Sequence, residues 1–240
     1  IDAAEAAAPV TRFAMVQTNL DVFRARALRS RSPFANVNEY IDQAQAAVEA
    51  DPEIKVLVFP EGALRGDAGS SHNMRARQFV RDFDVELWTG SGTLAKWPDG
   101  KTGFQNSAVR IFGDGEVSDD YDKNILLPFG EFMPLSGVFP ILRKIEGVGN
   151  FIPGDDLTFY ETPHGSFVFL ICYEAIRHRY VREGVRRGAD VLVNITYDAW
   201  FGRTANPSQH LMLSAIQSAL FGVPLVRSAT TGISAFVDAR

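Results

Sequence analysis

A carboxylate, an ammonium group and a thiol each lie at or just after the end of a short, distinctive sequence segment. Glu61 follows one apolar run, Cys172 ends another, and Lys123 closes a short aspartate-rich segment. A thiol attacks a carbonyl as its thiolate, so it needs a base to remove its proton and a cation to stabilise the resulting oxyanion. A carboxylate, a thiol and an ammonium group therefore predict acyl-transfer chemistry, provided that the fold brings them to one pocket.

Each of these residues also has an ordinary explanation when it is taken alone. A glutamate after a strand is often an exposed turn residue, most lysines are solvated, and a lone cysteine often packs as a small hydrophobic group. Their occurrence together, in this order, favours a shared site. Cys172 is the only cysteine, so an internal disulfide is excluded and cysteine usage does not indicate the redox compartment.

The composition is ordinary for a soluble globular domain. The 240 residues are 46% hydrophobic and 22% charged, which is enough for one large α/β domain with a substantial core. A net charge of −5 argues against general nucleic-acid binding. The longest unbroken apolar run, 167–173, is shorter than the roughly 18 residues that a membrane-spanning helix needs. The four histidines lack metal-ligand spacing and no glycine-rich phosphate loop occurs, so we expect no metal and no cofactor.

Apolar periodicity predicts that strands and helices alternate along the chain. The predicted strands are 12–18, 55–59, 85–93, 106–112, 157–161, 166–171, 191–196, 225–229 and 233–237. The predicted helices are 36–50, 73–83, 177–187 and 208–221. Asn36 or Asn38 is the expected cap of the first helix. Such short apolar strands imply buried sheets covered by helices. Residues 1–11 are interpreted as a linker remnant and 12–240 as one catalytic domain.

The most specific motif is the stretch 121–134, which reads Tyr-Asp-Lys-Asn-Ile-Leu-Leu-Pro-Phe-Gly-Glu-Phe-Met-Pro. The segments 171–174, 194–202 and 207–210 support it. With these motifs the chain resembles the nitrilase superfamily, whose members use a Glu-Lys-Cys triad in this chain order. Within that superfamily it is most similar to the nitrilase-like domain of the apolipoprotein N-acyltransferases. One departure is Gly62, which stands where that family usually has Ser or Thr.

The resemblance implies an α/β fold, a four-layer α-β-β-α sandwich of the nitrilase type, with a catalytic triad. Glu61 would be the general base, Cys172 the nucleophile that forms a thioester, and Lys123 the cation that stabilises the oxyanion. Glu131 would support the triad by orienting Lys123. Tyr173 and Glu174 match family positions as well, and their expected role is to shape the turn at the nucleophile.

The apolar segment 129–151 is too broken by proline and glycine for a spanning helix. It is expected to form a flap that suits an acyl chain or a bilayer surface, although a loop tucked into the core explains it as well. Two further aromatic residues, Trp200 and Phe201, form either a second apolar lip or part of the core. The residues expected to bind substrate are Phe132 and Met133 in the flap and Trp200 and Phe201 in the lip.

The implied activity is transfer of a fatty acyl group from a phospholipid, through a Cys172 thioester, to the N-terminal amine of a diacylglyceryl-cysteine apolipoprotein. The implied partners are the phospholipid, the apolipoprotein and a membrane surface, on the periplasmic side of a bacterial inner membrane. Two alternatives remain open. One is a soluble nitrilase-type amidase that hydrolyses a small amide, and the other is a binding module without turnover.

Overall fold

The computed structural model describes residues 10–32, 34–134 and 149–239. In this part of the chain the first sheet has the spatial order β1-β2-β3-β4-β5. Its strands are β1 (Arg12–Met15), β2 (Ile54–Val58), β3 (Glu86–Lys96), β4 (Thr102–Ile111) and β5 (Tyr121–Asp122). Strands β1, β2 and β3 are parallel neighbours, whereas β4 and β5 join in antiparallel pairs. Three helices pack on the outer face, namely α1 (Val22–Arg31), α2 (Ala35–Ala50) and α3 (Met74–Phe83).

The second sheet has the spatial order β10-β9-β8-β7-β6. Its strands are β6 (Phe159–Thr162), β7 (Gly165–Ile171), β8 (Val191–Thr196), β9 (Leu225–Ala229) and β10 (Ala235–Val237). The three central strands are parallel, and both edge strands are antiparallel to their neighbours. Helices α4 (His178–Arg186) and α5 (Asn206–Phe221) accompany this sheet. Short 3₁₀ helices occupy Ser71–Asn73, Cys172–Ile176 and Asp198–Phe201.

The two sheets pack face to face through an apolar interface. Trp88 of β3 stacks on Phe167 of β7 with ring centroids 3.9 Å apart, and Phe169 contacts the same indole edge-on. Val56, Val58 and side chains of β7 and β8 complete this buried layer. Helices therefore flank two central sheets, and this α-β-β-α order confirms the sandwich that the family resemblance implies. Burial of this interface is the main force that holds the two sheets together.

Most predicted strands and helices are present, with ends displaced by a few residues. Helix α1 was not predicted, because its arginine-rich sequence lacks a clear apolar stripe; Asp21 caps it by accepting a hydrogen bond from the Arg24 N–H at 2.8 Å. The predicted cap of α2 is wrong. Phe34 occupies that position without a side-chain cap, and both Asn36 and Asn38 lie inside the helix. Strand β5 is only two residues long, which is too short for alternation to reveal.

Helix α5 turns its apolar side outward. Met212, Ile216 and Leu220 share one face, as predicted, but these side chains are 55%, 44% and 63% exposed. The opposite, buried face carries polar residues, including His210 and Ser214. This inversion of the usual pattern follows from a polar network beneath the helix, which is described below.

Parts of two predicted segments lie outside the described residues. These parts are 1–9 of the predicted linker and 135–148 of the predicted flap. The division into linker and catalytic domain therefore stays a prediction. Among the described residues, no helix combines the length and hydrophobicity needed to cross a membrane.

Candidate active site

The strand directions bring the candidate carboxylate and ammonium groups to the same edge of the first sheet. Strand β5 is antiparallel to β4, and β4 is antiparallel to β3, so β5 runs in the same direction as β2. Glu61 follows the end of β2, and Lys123 follows the end of β5. Lys123 Nζ lies 3.8 Å from Glu61 Oε1. Parallel strands thus explain how two residues far apart in sequence become an ion pair.

Glu61 is held from both sheets. Asn106 Nδ2 of β4 donates to Oε1 at 2.6 Å, and the Tyr197 N–H, just after β8, donates to Oε2 at 2.9 Å. Burial raises the pKa of Glu61, and the charge of Glu131 adds to this, while the nearby Lys123 ammonium opposes it. A carboxylate with a raised pKa accepts a proton more readily than an exposed one, which suits a general base.

Two glycines shape the loop that carries Glu61. Gly62 has φ +65°, a left-handed conformation that glycine adopts without the clash that a Cβ atom causes. Gly90 of β3 lies so close to this loop that a Cβ there would stand 2.4 Å from Gly62 N and 2.6 Å from Glu61 Cα. The Gly90 N–H also donates to the Pro60 carbonyl at 3.2 Å. The residue that departs from the expected Ser or Thr therefore matches its local backbone.

Lys123 is 1% exposed and lies between carboxylates. Its Nζ donates to Glu131 Oε1 at 2.7 Å, and the same oxygen accepts from Asn106 Nδ2 at 3.3 Å. Glu131 Oε2 accepts from the Leu127 N–H at 2.7 Å. Burial lowers the pKa of Lys123, but its interactions with Glu61, with the thiolate form of Cys172 and with Glu131 outweigh burial, so its pKa lies above the ordinary value. The ammonium group therefore stays charged at neutral pH.

Cys172 follows β7 directly and starts a 3₁₀ helix. Its φ of 51° is left-handed, a conformation that costs a non-glycine residue about 1–2 kcal/mol and that often occurs at functional turns. Burial and the charge of Glu61 raise the pKa of Cys172 to about 12, although Lys123 and a hydrogen bond with Thr196 lower it. The resting sulfur is therefore a thiol, and attack on a carbonyl requires a base close by.

Glu174 links the segment after β5 to the turn at Cys172. It is fully buried, and its Oε1 accepts from the N–H groups of Asn124 at 2.8 Å and Ile125 at 3.0 Å. Its Oε2 accepts from the Ile171 N–H and the Tyr121 hydroxyl, both at 2.8 Å. One carboxylate therefore bonds the backbone on either side of the site, and the role of Glu174 in shaping the turn at the nucleophile stays a prediction.

Tyr173 makes a different kind of contact. Arg177 Nη1 donates to the Tyr173 hydroxyl at 3.0 Å, and the Arg177 guanidinium lies over the tyrosine ring, 5.4 Å from its centroid. The side chain of Tyr173 is thus held by Arg177, the residue that immediately precedes α4. Its backbone N–H is the group that follows the Cys172 carbonyl.

The four predicted substrate-binding residues have different environments. Met133 is 9% exposed and lies in the interior, whereas Trp200 is 77% exposed and contacts Tyr197 edge-on. Phe132 is half-buried, and its backbone forms an isolated β-bridge with Pro128. Phe201 is also half-buried and meets the His210 ring edge-on. Trp200 is thus exposed enough to meet a ligand directly, and substrate binding by all four stays a prediction.

Several residues of the site were missed by sequence reasoning. Asn106 contacts Glu61 and Glu131, yet it reads as one polar residue of a strand. Arg227 lies inside the apolar strand β9 and is fully buried, and a charged residue at that position is a signal that sequence alone offers. His210 ends the segment 207–210 that supports the resemblance, but it lacks metal-ligand spacing and no role was predicted for it. Within the described residues, no group of three or more His, Cys, Asp or Glu side chains is arranged to hold a metal ion.

The model of the carbon-nitrogen hydrolase family matches residues 12–240. The chain belongs to this family. Two curated relatives are named apolipoprotein N-acyltransferase. The relative from Geobacter metallireducens is 35% identical over 77% of this chain, and the one from Bdellovibrio bacteriovorus is 33% identical over 84%. These matches cover 36% and 39% of the relatives, so the chain spans well under half of their length.

Solved structures support the same fold. An amidase from Nesterenkonia sp. is 19% identical and superposes with a TM-score of 0.65, covering 95% of this chain and 82% of that one. Nit3 from Saccharomyces cerevisiae, a member of the nitrilase superfamily, gives a TM-score of 0.62 at 18% identity over 86% of this chain and 77% of its own. At such identities the likeness concerns the sandwich fold, which is the predicted nitrilase type.

Proposed function

We propose that this chain is the catalytic domain of an acyltransferase that uses Cys172 as its nucleophile. The observation that carries the proposal is the buried cluster in which Lys123 Nζ lies 3.8 Å from Glu61 and 2.7 Å from Glu131. The charges of all three groups influence the pKa of the Cys172 thiol, which Glu61 and Glu131 raise and Lys123 lowers. A buried base, a buried cation and a neutral thiol are the groups that thioester formation requires. The names of the relatives agree with an acyltransferase.

In the first half-reaction Glu61 takes the proton of Cys172 as the sulfur attacks the ester carbonyl of a phospholipid. Lys123 stabilises the oxyanion with its charge, together with the backbone N–H of Tyr173. The ester C–O bond then breaks, the thioester remains on Cys172, and Glu61 returns the proton to the leaving lysophospholipid. Because Cys172 rests as a thiol, its proton must pass to this base for the sulfur to attack.

In the second half-reaction an amine attacks the thioester. We propose that this amine is the N-terminus of a diacylglyceryl-cysteine apolipoprotein, which loses a proton to Glu61 as the amide bond forms. Cys172 leaves as a thiolate and recovers that proton. Conversion of an ester into an amide runs downhill, so the cycle needs no nucleotide.

The proposed donor and acceptor are both lipids or lipidated, so the domain works against a membrane surface. Exposed aromatic side chains support this, since Phe129 is 67% exposed and Trp200 is 77% exposed. Such rings suit the boundary between water and acyl chains. The proposed location is the periplasmic side of a bacterial inner membrane, in keeping with the family resemblance.

A second candidate is hydrolysis of a small amide, with water as the second nucleophile. It is favoured by the likeness of the fold to an amidase of known structure. Both candidates share the thioester and differ in the acyl donor and in the group that accepts the acyl chain.

An acceptor assay separates the two candidates. The protein is mixed with a phospholipid that carries a labelled acyl chain and with a synthetic diacylglyceryl-cysteine peptide, and the labelled amide is quantified by mass spectrometry. We expect labelled peptide with this protein and none with Cys172→Ala. Release of ammonia from a small amide, without transfer to the peptide, would establish the amidase instead.

A further inference from the structure

A buried polar cluster lies behind the nucleophile and takes no part in the proposed proton transfers. It consists of Asn194 on β8, Asp198 in the following 3₁₀ helix, His210 on α5 and Arg227 on β9. Arg227 and Asn194 are fully buried, Asp198 is 1% exposed, and His210 is 7% exposed. Charges are seldom placed in a protein interior unless they are paired and hydrogen-bonded, so the contacts of this cluster are informative.

Arg227 lies at the centre of the cluster, and two chains of contacts, called routes below, lead from it toward Cys172. Its Nη2 donates to Asp198 Oδ2 at 2.7 Å, and its Nη1 donates to Asn194 Oδ1. Asp198 Oδ1 accepts from the Thr196 hydroxyl at 3.0 Å. His210 Nδ1 lies 2.9 Å from the same oxygen and 3.1 Å from Arg227 Nη2. The planar guanidinium therefore orients one carboxylate and one amide at the same time, a task that suits arginine better than lysine.

Both routes end on the carbonyl oxygen of Cys172. His210 Nε2 lies 3.3 Å from this oxygen and donates to it when Nε2 carries the ring proton. Asn194 Nδ2 donates to the neighbouring Leu170 carbonyl at 2.7 Å and makes a longer contact of 3.5 Å with the Cys172 carbonyl. The backbone at Cys172 is left-handed, with φ at 51°, so this turn does not maintain itself by local preference. Contacts to its carbonyl from outside the turn therefore help to hold it, together with the hydrogen bond that Glu174 accepts from the Ile171 N–H.

Fixing this carbonyl also fixes the N–H group that follows it. The Cys172 carbonyl and the Tyr173 N–H belong to one planar trans peptide and point in opposite directions. A hydrogen bond that pulls the carbonyl toward His210 therefore aims the N–H to the other side. In the proposed mechanism that N–H receives the oxyanion.

We propose that Arg227 is a positioning residue that acts through Asp198–His210 and through Asn194 to hold the Cys172 carbonyl and thereby aim the Tyr173 N–H at the oxyanion. This inference rests on the proposed function of Cys172 as an acyl-accepting nucleophile. Arg227 touches neither substrate nor reacting atoms, so its effect is expected on the acylation step and not on reactions of sulfur that form no oxyanion.

Two reactions of Cys172 separate these effects. Acylation by a p-nitrophenyl ester passes through a tetrahedral oxyanion, whereas alkylation by iodoacetamide displaces iodide directly and forms none. Both need the thiol to lose its proton. A loss confined to acylation therefore reports the oxyanion donor, and a parallel loss of both reports damage to the fold or to the thiol.

A matched pair of variants tests the route through His210. In His210→Asn the amide nitrogen matches Nδ1, so the contact with Asp198 is kept and the contact with the Cys172 carbonyl is lost. In His210→Gln the amide nitrogen matches Nε2 and keeps the contact with that carbonyl. Ser214→Ala is the control, because Ser214 is buried one turn further along α5 and its hydroxyl donates to the His210 carbonyl at 2.9 Å.

We expect His210→Asn and Arg227→Lys to lower the acylation rate about 10- to 100-fold, with alkylation within about threefold of wild type. His210→Gln should recover most of the acylation rate, and Ser214→Ala should resemble wild type in both reactions. If Arg227→Lys fails to fold, the His210 pair carries the test, since it leaves the Arg227–Asp198 pair intact.

Equal acylation by folded His210→Asn and wild type would overturn the inference, as would a parallel fall of acylation and alkylation. An acylation rate of His210→Gln as low as that of His210→Asn would contradict the route through the carbonyl. The proposed function fails differently: wild-type protein would then be alkylated at Cys172 but never acylated, and the inference would fall with it.

Discussion

Replacing Gly90 by alanine should displace the candidate general base without touching its side chain. An added Cβ would stand 2.4 Å from Gly62 N and 2.6 Å from Glu61 Cα, where ordinary contacts begin at 3.4 Å. The backbone of the Glu61 loop must therefore retreat by about 1 Å, a displacement that can lower the rate of a catalysed step about 100-fold. The same overpacking is expected to lower the free energy of unfolding by about 1–3 kcal/mol.

The assay is the rate of p-nitrophenol release on acylation of Cys172, with unfolding in urea followed in parallel. Gly92→Ala is the matched control, because it lies on the same strand and the atoms nearest to its Cβ would belong to the ring of Phe104, 2.1 Å away. That ring is 38% exposed, packs edge-on against Phe151 and ends a side chain, so it can give way without moving the Glu61 backbone and the control should lose little activity. A folded Gly90→Ala protein that acylates as fast as wild type would refute the idea that the position of the Glu61 backbone limits the reaction.

Three further predictions concern the electrostatics of the site. Asn106→Ala removes a hydrogen bond that lowers the pKa of Glu61, so the acidic limb of the acylation pH profile should move to higher pH, and an unmoved limb would contradict this. Burial raises the pKa of Glu61 in the folded protein above its value in the unfolded chain. The stabilising contribution of the protonated Glu61 carboxyl is therefore present below about pH 4 and lost as the pH rises through the raised pKa. Glu61→Gln should thus gain stability relative to wild type between about pH 4 and pH 8, as measured by unfolding in urea. Glu174→Gln would place an amide N–H group against a buried backbone N–H that now donates to the carboxylate. This change should lower the free energy of unfolding in urea by about 2–4 kcal/mol. A loss below about 1 kcal/mol would show that the four contacts of Glu174 are dispensable.

The sequence predicts much of this fold because its strands are short apolar runs. Strands β8 and β9 begin and end where the pattern places them, since both are buried central strands bounded by polar or turn residues. Helix α1 escaped prediction because arginines interrupt its apolar positions, and β5 because two residues show no alternation. Helix α5 was predicted as a helix, but its buried face is polar, and no amphipathic rule anticipates that.

The residues of the candidate site also fall into two groups, those that sequence motifs identify and those that only the folded structure brings together. The side chains of Glu61, Lys123 and Cys172 stand in motifs, so the sequence could name them. Asn106 and Arg227 act through distances that arise only when the strands pair and the two sheets pack, and no local pattern reports such contacts. A charged residue inside an apolar strand is the one local signal that points to a buried network.

The proposed function requires that Cys172 carries the acyl group between donor and acceptor. The most direct measurement is intact-protein mass spectrometry after mixing with phospholipid in the absence of an amine, followed by mapping of the modified peptide. We expect a mass increase of one acyl chain on Cys172, absent from Cys172→Ala and strongly reduced in Glu61→Gln. An equal adduct on the Cys172→Ala protein, or acyl transfer to an amine by that variant, would contradict it.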